Sequence, residues 1–559
     1  MEKHLVHRQK VVLQIPKRDD AFALQSMVSY LLQNDLKISL ESALDNAFPP
    51  GKVVRIDTLQ LDLGDINPHN FEQEFKSRFN AALTESLSAK SDSIANSVDD
   101  ESIISEAQSA VNTLIFFLEK GYLPWYSSTV NTAGWEADIL KILTKSEYQY
   151  LVEWLKETYP QNNAVIDRLI SQFSDHLLTA VLQNAAPFIR HNWAHIFTDF
   201  SFILSIFDKG RKSITPKKGQ NLPDTPSYFD LNSLVIRNQV WQSAFRVLLN
   251  RPDNAYALSI LKLLSAYFGV KGRHITAAKE KQISSGLKTD VVKDAFKPLV
   301  QFLKIEDGTI SVKTKKDSKK DNREEHIDAT TSAETNNDNE NVVNTNTDLN
   351  SLPAKDAAEK DATENGVADY NEETANKTDK KDTVKKKKTD NDKDIISINT
   401  SGIVILTPFF KTYFEKLELT NNNNFIDDQA RGRAVMLLYY LATGTVEAAE
   451  FDLVLQKILC GYPLEQPLTT SIKLSKKEKT YSAELLNTVL HHWESLKGTS
   501  IQGLREAFLL RKGNLELREN GWILKVEQKT LDILLSKLPW GFSTIRQPWM
   551  QNILSVDWY

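Results

Sequence analysis

A stretch of low-complexity sequence, residues 313–394, constrains the fold of this chain more than any other feature. It consists mostly of Lys, Asp, Asn, Thr, Glu and Ala, and Tyr370 is its only aromatic residue. Such a segment buries too little apolar surface to offset the entropy lost on ordering it. We therefore predict a long disordered linker that divides the 559-residue chain into separately folded parts.

The net charge of the whole chain equals the net charge of this linker. The stretch holds 16 Lys and Arg against 21 Asp and Glu, a net charge of −5, which equals the formal charge of the whole chain. The remaining sequence is therefore neutral, and no basic field points to a nucleic-acid partner. The single cysteine, Cys460, excludes a disulfide framework and a thiolate-only zinc site.

The N-terminal residues lack an apolar core of signal-peptide length, and no apolar run approaches the roughly 20 residues that span a bilayer. We expect a cytoplasmic protein without stable membrane insertion.

Residues 1–89 predict a small α+β module. Its expected elements are a strand over Leu5–Ile15, a helix over Asp20–Asn46, a near-alternating strand segment at 53–64, and a helix with Phe71, Phe75, Phe79 and Leu83 at four-residue steps. Residues 90–105 are rich in Ser, Asp and Ala and predict a loose connector.

Two larger regions follow the same periodicity rules. Residues 107–305 read almost entirely as amphipathic helices, which predicts a multi-helix domain. Residues 395–559 predict a mostly helical domain with one β-hairpin, turning at Glu519-Asn520-Gly521, because Asn-Gly is a strong hairpin signal. The expected fold class is thus mainly α and multidomain, with an α+β N-terminal module and a C-terminal β-hairpin.

No residue pattern indicates catalysis or a metal site. His491 and His492 are adjacent on a predicted helix, so their side chains point about 100° apart and do not converge on a metal. Asp57, Asp62 and Asp65 fit solvent-facing strand and turn positions. We expect no enzyme activity and no cofactor.

The C-terminal tail is the strongest candidate for a binding surface. Aromatic and long apolar side chains crowd it, and such residues fit a core but are also enriched at interface hot spots. Packing is the favoured explanation, and docking to a partner stays open. The docking candidates are Trp540, Phe542, Arg546, Trp549, Met550 and Trp558.

Several motifs in order along the chain carry a resemblance to a known family. They lie at 53–66 (VVRIDTLQLDLGDI), 116–126 (FFLEKGYLPWY), 402–419 (GIVILTPFFKTYFEKLEL), 433–445 (RAVMLLYYLATGT), 450–468 (EFDLVLQKILCGYPLEQPL), 485–513 (LLNTVLHHWESLKGTSIQGLREAFLLRKG) and 538–550 (LPWGFSTIRQPWM). These stretches resemble the tape measure protein family of contractile injection systems, the phage-tail-like particles of the antifeeding-prophage and Photorhabdus virulence-cassette type. The linker has no counterpart among the motifs.

The resemblance implies a structural protein that sets the length of the inner tube and sheath and is anchored at the baseplate and spike hub. Its implied partners are the inner tube protein and the baseplate and hub proteins, with self-association left open. Its implied location is the cytoplasm during assembly, then the tube lumen or baseplate. Compact domains are poor rulers, so three alternatives remain: the helices unfurl, only part of the chain is the ruler, or the folded ends mainly organise the baseplate as a scaffold or chaperone released before the particle matures.

Overall fold

The computed structural model describes most of both folded ends of the chain. The described residues are 4–7, 9–15, 21–48, 51–96, 103–127, 131–189, 193–208, 233–250, 255–308, 395–470 and 472–558. The described residues on both sides of 309–394 belong to one compact unit. The predicted disordered linker at 313–394 lies outside the described residues.

The described part is mainly helical with a C-terminal β-sheet, which confirms the predicted fold class. Its buried side chains form three clusters, one in the N-terminal module, one in the helical region and one in the C-terminal region. The boundaries 1–89, 107–305 and 395–559 stay a prediction, because the three regions belong to the same compact unit.

The N-terminal module packs three helices around a small core. Its elements are α1 (Ala21–Gln33), α2 (Asp35–Ala47), β1 (Lys52–Val54), a 3₁₀ helix (Pro68–Asn70), α3 (Phe71–Asn96) and β2 (Ile103–Ser105). The four-residue steps of α3 bury Phe75, Phe79 and Leu83 against α1 and α2, as predicted.

Four expectations for this module are wrong in detail. The predicted helix Asp20–Asn46 is two helices over its described residues, separated at Asn34, whose φ of −112° departs from helical geometry and whose side chain donates to the Tyr30 carbonyl at 2.9 Å. The predicted strand Leu5–Ile15 is not a strand over its described residues. Of the predicted strand segment 53–64, only Val53 and Val54 join a ladder, with β2, because the later apolar side chains pack on helices instead. Of the predicted connector 90–105, residues 90–96 belong to α3 and 103–105 form β2, whereas 97–102 lie outside the described residues.

The helical region buries an apolar stripe of nearly every helix in one continuous core. Trp241, Phe117 and Phe245 are almost fully buried there. Its helices are α4 (Glu106–Lys120), α5 (Thr132–Ile142), α6 (Lys145–Thr158), α7 (Ala164–Gln172), α8 (Asp175–Ala185), α9 (Trp193–Asp208), α10 (Ser233–Asn250), α11 (Tyr256–Tyr267), α12 (Ala277–Gly286) and α13 (Asp290–Glu306), with 3₁₀ turns at Pro187–Ile189 and Gly272–His274.

The C-terminal region sets short helices against a sheet. Its helices are α14 (Phe410–Lys416), α15 (Asp428–Thr443), α16 (Val454–Leu459), α17 (Lys476–His492) and α18 (Ile501–Leu504), 3₁₀ helices at Ser401–Phe409, Glu450–Leu453, Glu494–Leu496 and Thr530–Lys537, and a π-helix at Arg505–Leu509. Its strands are β3 (Ile395–Ile398), β4 (Thr420–Asn421), β5 (Asn424–Phe425), β6 (Gly513–Arg518), β7 (Gly521–Val526), β8 (Thr544–Ile545) and β9 (Leu554–Asp557).

The predicted hairpin is confirmed, and it belongs to a larger sheet. Strands β6 and β7 pair antiparallel, with Arg518 opposite Gly521, so Glu519-Asn520 forms the turn. The full strand order is β3-β6-β7-β9-β8, in which β9 runs parallel to β7. The final residues of the described chain therefore lie inside the sheet, and this controls where the aromatic tail points.

Candidate functional site

The residues that sequence reasoning weighed for chemistry do not converge. His492 lies at the end of α17, where its Nδ1 is 2.8 Å from the Thr488 carbonyl oxygen. Asp62 accepts a hydrogen bond from the Gly64 amide at 3.0 Å, as in a turn. Burial raises the pKa of the Cys460 thiol well above its usual range. Within the described ranges, no three His, Cys, Asp or Glu side chains are grouped so as to hold a metal ion.

The aromatic tail folds back onto the C-terminal region. Trp558 is 2% exposed, and its indole N–H donates to Asp532 Oδ2 at 3.1 Å. The guanidinium of buried Arg511 lies 5.5 Å from the centre of the Trp558 ring, and Phe542 packs edge-on against that ring at 5.7 Å. Phe542 and Trp558 are therefore core side chains of this structure.

Trp549 is held in the same way at the other side of the tail. Its indole N–H donates to the Leu459 carbonyl at 2.9 Å, and its ring lies 5.1 Å from Phe425 and 5.6 Å from Phe414. The backbone of Gly461 approaches so closely that an added Cβ would lie 2.1 Å from the Trp549 carbonyl oxygen. This contact requires glycine, whose φ is +62° there.

The remaining docking candidates differ in exposure. Trp540 is half-buried, with its indole N–H 2.9 Å from the Ile405 carbonyl, and Met550 is buried. Arg546 is exposed. Packing accounts for five of the six side chains, and a docking role for the tail stays a prediction.

Sequence reasoning missed the feature that joins the regions on either side of residues 309–394. Arg168 on α7 and Glu450, which begins a 3₁₀ helix of the C-terminal region, form an ion pair with no exposed side-chain surface. The guanidinium is bidentate, with Nε 3.1 Å from Oε2 and a terminal nitrogen 3.3 Å from Oε1. Lys457 also reaches Glu450, with Nζ 2.5 Å from Oε1. We call this contact between Arg168, Glu450 and Lys457 the seam.

Backbone carbonyls accept hydrogen bonds from the N–H groups of Arg168 and Lys457 that do not contact Glu450. Arg168 donates to the carbonyls of Leu118 and Glu465, the latter at 2.7 Å. Lys457 donates to the Gln466 carbonyl at 2.8 Å. The seam holds two cations and one carboxylate out of water, so these carbonyl contacts are needed to offset the desolvation of the second cation. Burial lowers the pKa of Lys457, and the charge of Glu450 partly opposes that shift.

Apolar packing and a glycine complete the seam. Phe451 follows Glu450 and enters the core of the helical region, where its ring lies 5.9 Å from Phe117 and 6.2 Å from Trp135. Gly121 ends α4 with φ of +80°, and a Cβ there would lie 2.7 Å from the Leu464 carbonyl oxygen and 2.9 Å from the Arg168 guanidinium. The seam is therefore a closely packed, hydrogen-bonded contact between residues that are 282 positions apart in the sequence.

The local sequence gives a weak signal for the seam. Arg168 lies among apolar residues of α7, and Glu450 and Lys457 flank an apolar run, so buried charges could be suspected but not paired. The arrangement can hold the two regions together, and its three charged side chains are buried.

Among the described helices, none combines the length and apolarity needed to cross a membrane. The sequence model of contractile injection system tape measure proteins matches residues 3–558. No curated protein and no solved structure matches the chain. Because the match covers nearly the whole chain, the protein belongs to the contractile injection system tape measure family.

Proposed function

We propose that this chain is a non-catalytic structural protein that sets the length of the inner tube and sheath, and that its compact unit anchors it at the baseplate and spike hub. The family membership supports the tape measure role in general. The observation that supports the specific proposal is the seam, since it joins the regions before and after residues 309–394 within one compact unit.

The seam changes how the intervening residues can act as a ruler. Residues 313–394, if extended, would span roughly 270 Å at about 3.3 Å per residue. With both flanks fixed in one unit, the segment must leave and return, so its reach is about half of that length. Using the full reach requires the seam to open, which exposes Arg168, Glu450 and Phe451.

Deleting Asp321–Thr383 tests the ruler. Particles measured by negative-stain microscopy should stay uniform and become shorter, by roughly 100 Å if the chain runs out and back and by roughly 200 Å if it passes once. The matched control replaces the same residues with a shuffled sequence of equal length and composition, which should leave particle length unchanged. Unchanged length in the deletion variant would refute the ruler role of this segment.

A second function has a specific observation in its favour. The folded regions have compact cores, so most of their chain length is not available to measure a tube. This suits a baseplate-assembly scaffold or chaperone better than a ruler. This alternative predicts that the chain is released before the particle matures. Mass spectrometry of purified particles would then find the tube and baseplate proteins without this chain, whereas the anchored ruler should be present at a constant ratio to the hub.

The proposed partners follow from the proposed position. We expect contacts with the inner tube protein and with baseplate and hub proteins, in the cytoplasm during assembly and in the lumen or baseplate of the finished particle. Among the six docking candidates, Arg546 and the exposed part of Trp540 are the groups that a partner can reach without unfolding the C-terminal region.

A further inference from the structure

Helix α1 of the N-terminal module presents an uncharged face to solvent. Its sequence, AFALQSMVSYLLQ, contains no Asp, Glu, Lys or Arg, and its buried residues are Val28 and Leu31, which pack into the core of the module. Phe22 is 80% exposed and Tyr30 is 61% exposed. Because a surface helix ordinarily turns charged and polar side chains to water, a face with two exposed aromatic side chains is a candidate contact surface.

The exposed residues of α1 are arranged symmetrically about Ser26. Phe22 and Tyr30 lie four residues before and after it, and Ala23 and Ser29 lie three residues before and after it. All five residues are exposed, and at 3.6 residues per turn they share the side of the helix that faces away from its buried residues. The face therefore has small side chains at its centre and an aromatic side chain at each end, in an order that is the same in both directions.

Such a face is complementary to itself when two copies run antiparallel. With a two-fold axis at Ser26, Phe22 of one copy lies beside Tyr30 of the other, and the second such contact is identical to the first, as a two-fold contact requires. The small central side chains allow the helix axes to approach to about 8 Å. Antiparallel helix dipoles favour this orientation, and the absence of charged residues on α1 removes like-charge repulsion between the copies.

The exposed area of this face suits a weak dimer. Phe22 and Tyr30 offer about 600 Å² over two copies, since an aromatic side chain has about 150–250 Å² to bury. Met27, which is 40% exposed, and the small side chains between the aromatic residues add to this area. The total is close to the about 1,000 Å² at which specific contacts begin and below that of permanent dimers, so we expect a dissociation constant in the micromolar range.

We propose that α1 pairs antiparallel with α1 of a second copy of this chain, about a two-fold axis at Ser26, in a reversible dimer. The pair of Phe22 and Tyr30 at each end supplies the apolar contact, and the small residues at the centre set the close approach. This inference is independent of the proposed length-setting function, because it involves none of the seam residues and is tested on the isolated chain.

Sedimentation velocity of the full chain over about 1–200 μM tests the dimer. The wild-type chain should shift from monomer to dimer across this range, and Phe22→Glu and Tyr30→Glu should each weaken the dimer at least about tenfold, because they place a charge in the apolar contact. Ile38→Glu is the matched control, since Ile38 is a 68% exposed side chain on α2, and it should dimerise as wild type does. A monomeric wild-type chain at every concentration would overturn the proposal, as would equal dimerisation of all four chains.

Disulfide cross-linking tests the antiparallel arrangement. Two copies of Ser26→Cys should form a linked dimer under mild oxidation, because the axis brings their Cα atoms within the about 4.4–6.8 Å that a disulfide spans. Gln33→Cys is the control on the same exposed face, where the two copies of residue 33 would lie about 21 Å apart along the helices. The chain's own Cys460 is buried. Equal linking of both variants, or linking of Gln33→Cys alone, would contradict an antiparallel pair centred at Ser26.

Discussion

The seam and residues 9–15 both involve contacts between parts of the chain that are not adjacent in sequence. They differ in how many of their polar groups have a hydrogen-bonding partner. At the seam, Arg168, Glu450 and Lys457 are buried, and carbonyls take up the remaining donors. In residues 9–15, Leu13 packs against a small core, Val12 is exposed, and no backbone hydrogen bond to another described residue is formed. A satisfied contact stabilises the unit, whereas an unsatisfied one remains available to a partner, and residue composition alone does not separate the two.

The aromatic C-terminal tail also shows that residue composition alone does not separate packing from docking. Its tryptophans have the composition of a docking surface, yet Trp549 and Trp558 donate to groups of their own region and are buried. Large exposed apolar side chains occur at both ends of the chain, at Val12, Phe22 and Ile38 and also at Ile426, Leu531 and Ile533. The following predictions test the contrast between the buried seam and tail on one side and the exposed side chains of the N-terminal module on the other.

The largest expected effect is that of Trp558→Ala. Removing this buried side chain should lower the free energy of unfolding of the C-terminal region by about 3–5 kcal/mol, since it also leaves Asp532 and Arg511 without a partner ring. Chemical denaturation followed by circular dichroism measures the change. Phe22→Ala is the control, because Phe22 is 80% exposed and its removal should change stability by less than about 0.5 kcal/mol. A folded, fully stable Trp558→Ala chain that fails to assemble would restore the docking interpretation of the tail.

Glu450→Gln should be nearly as damaging. It leaves two buried cations without a counter-charge, which costs about 3–5 kcal/mol. Glu465→Gln is the matched control, because the same substitution in the same neighbourhood changes an exposed side chain and keeps the carbonyl that Arg168 contacts. Equal stability of the two variants in denaturant titrations would mean that the seam contributes little.

Gly121→Ala tests the crowding around the seam. The left-handed φ alone costs alanine about 1–2 kcal/mol. Gly498 has a similar φ of +86° but open space where its Cβ would lie, so Gly498→Ala carries the backbone cost without the crowding. We expect Gly121→Ala to be the more destabilising in thermal unfolding, and two equal values would show that the loop at Leu464 moves aside freely.

The smallest effect depends on pH. Burial raises the pKa of Asp452 from its ordinary 3.8 to about 6, against a hydrogen bond from the Ala449 backbone that lowers it. Between about pH 4 and 6 the folded chain therefore binds more protons than the unfolded chain, so this carboxyl favours folding below pH 4 and loses that contribution as the pH rises through 6. Asp452→Asn should be more stable than wild type by about 1–2 kcal/mol at pH 7 and similar at pH 4. Denaturant titrations at the two pH values measure this, with exposed Asp57→Asn as the control, and an unchanged pH profile would contradict it.

Local pattern predicted the elements whose packing is also local. The four-residue steps of Phe71, Phe75, Phe79 and Leu83 predicted α3, and Asn520-Gly521 predicted the hairpin turn. The apolar residues of the segments at Leu5–Ile15 and 53–64 predict strands, but a ladder needs a partner that the sequence does not specify. The position of β9 beside β7 and the pairing of Arg168 with Glu450 depend on contacts far apart in the chain, so no window of sequence could reveal them.

One measurement tests the central claim that the regions flanking residues 309–394 form a single closed unit. A protease site inserted between Asp321 and Thr383 allows the folded chain to be cut there, and sedimentation velocity then reports whether the two fragments separate. We expect the fragments of the cut chain to sediment together as one species, and to separate more readily in Glu450→Gln than in Glu465→Gln. Two independent fragments from the cut wild-type chain would show that the seam does not hold the regions together, and would contradict the account of a single anchor.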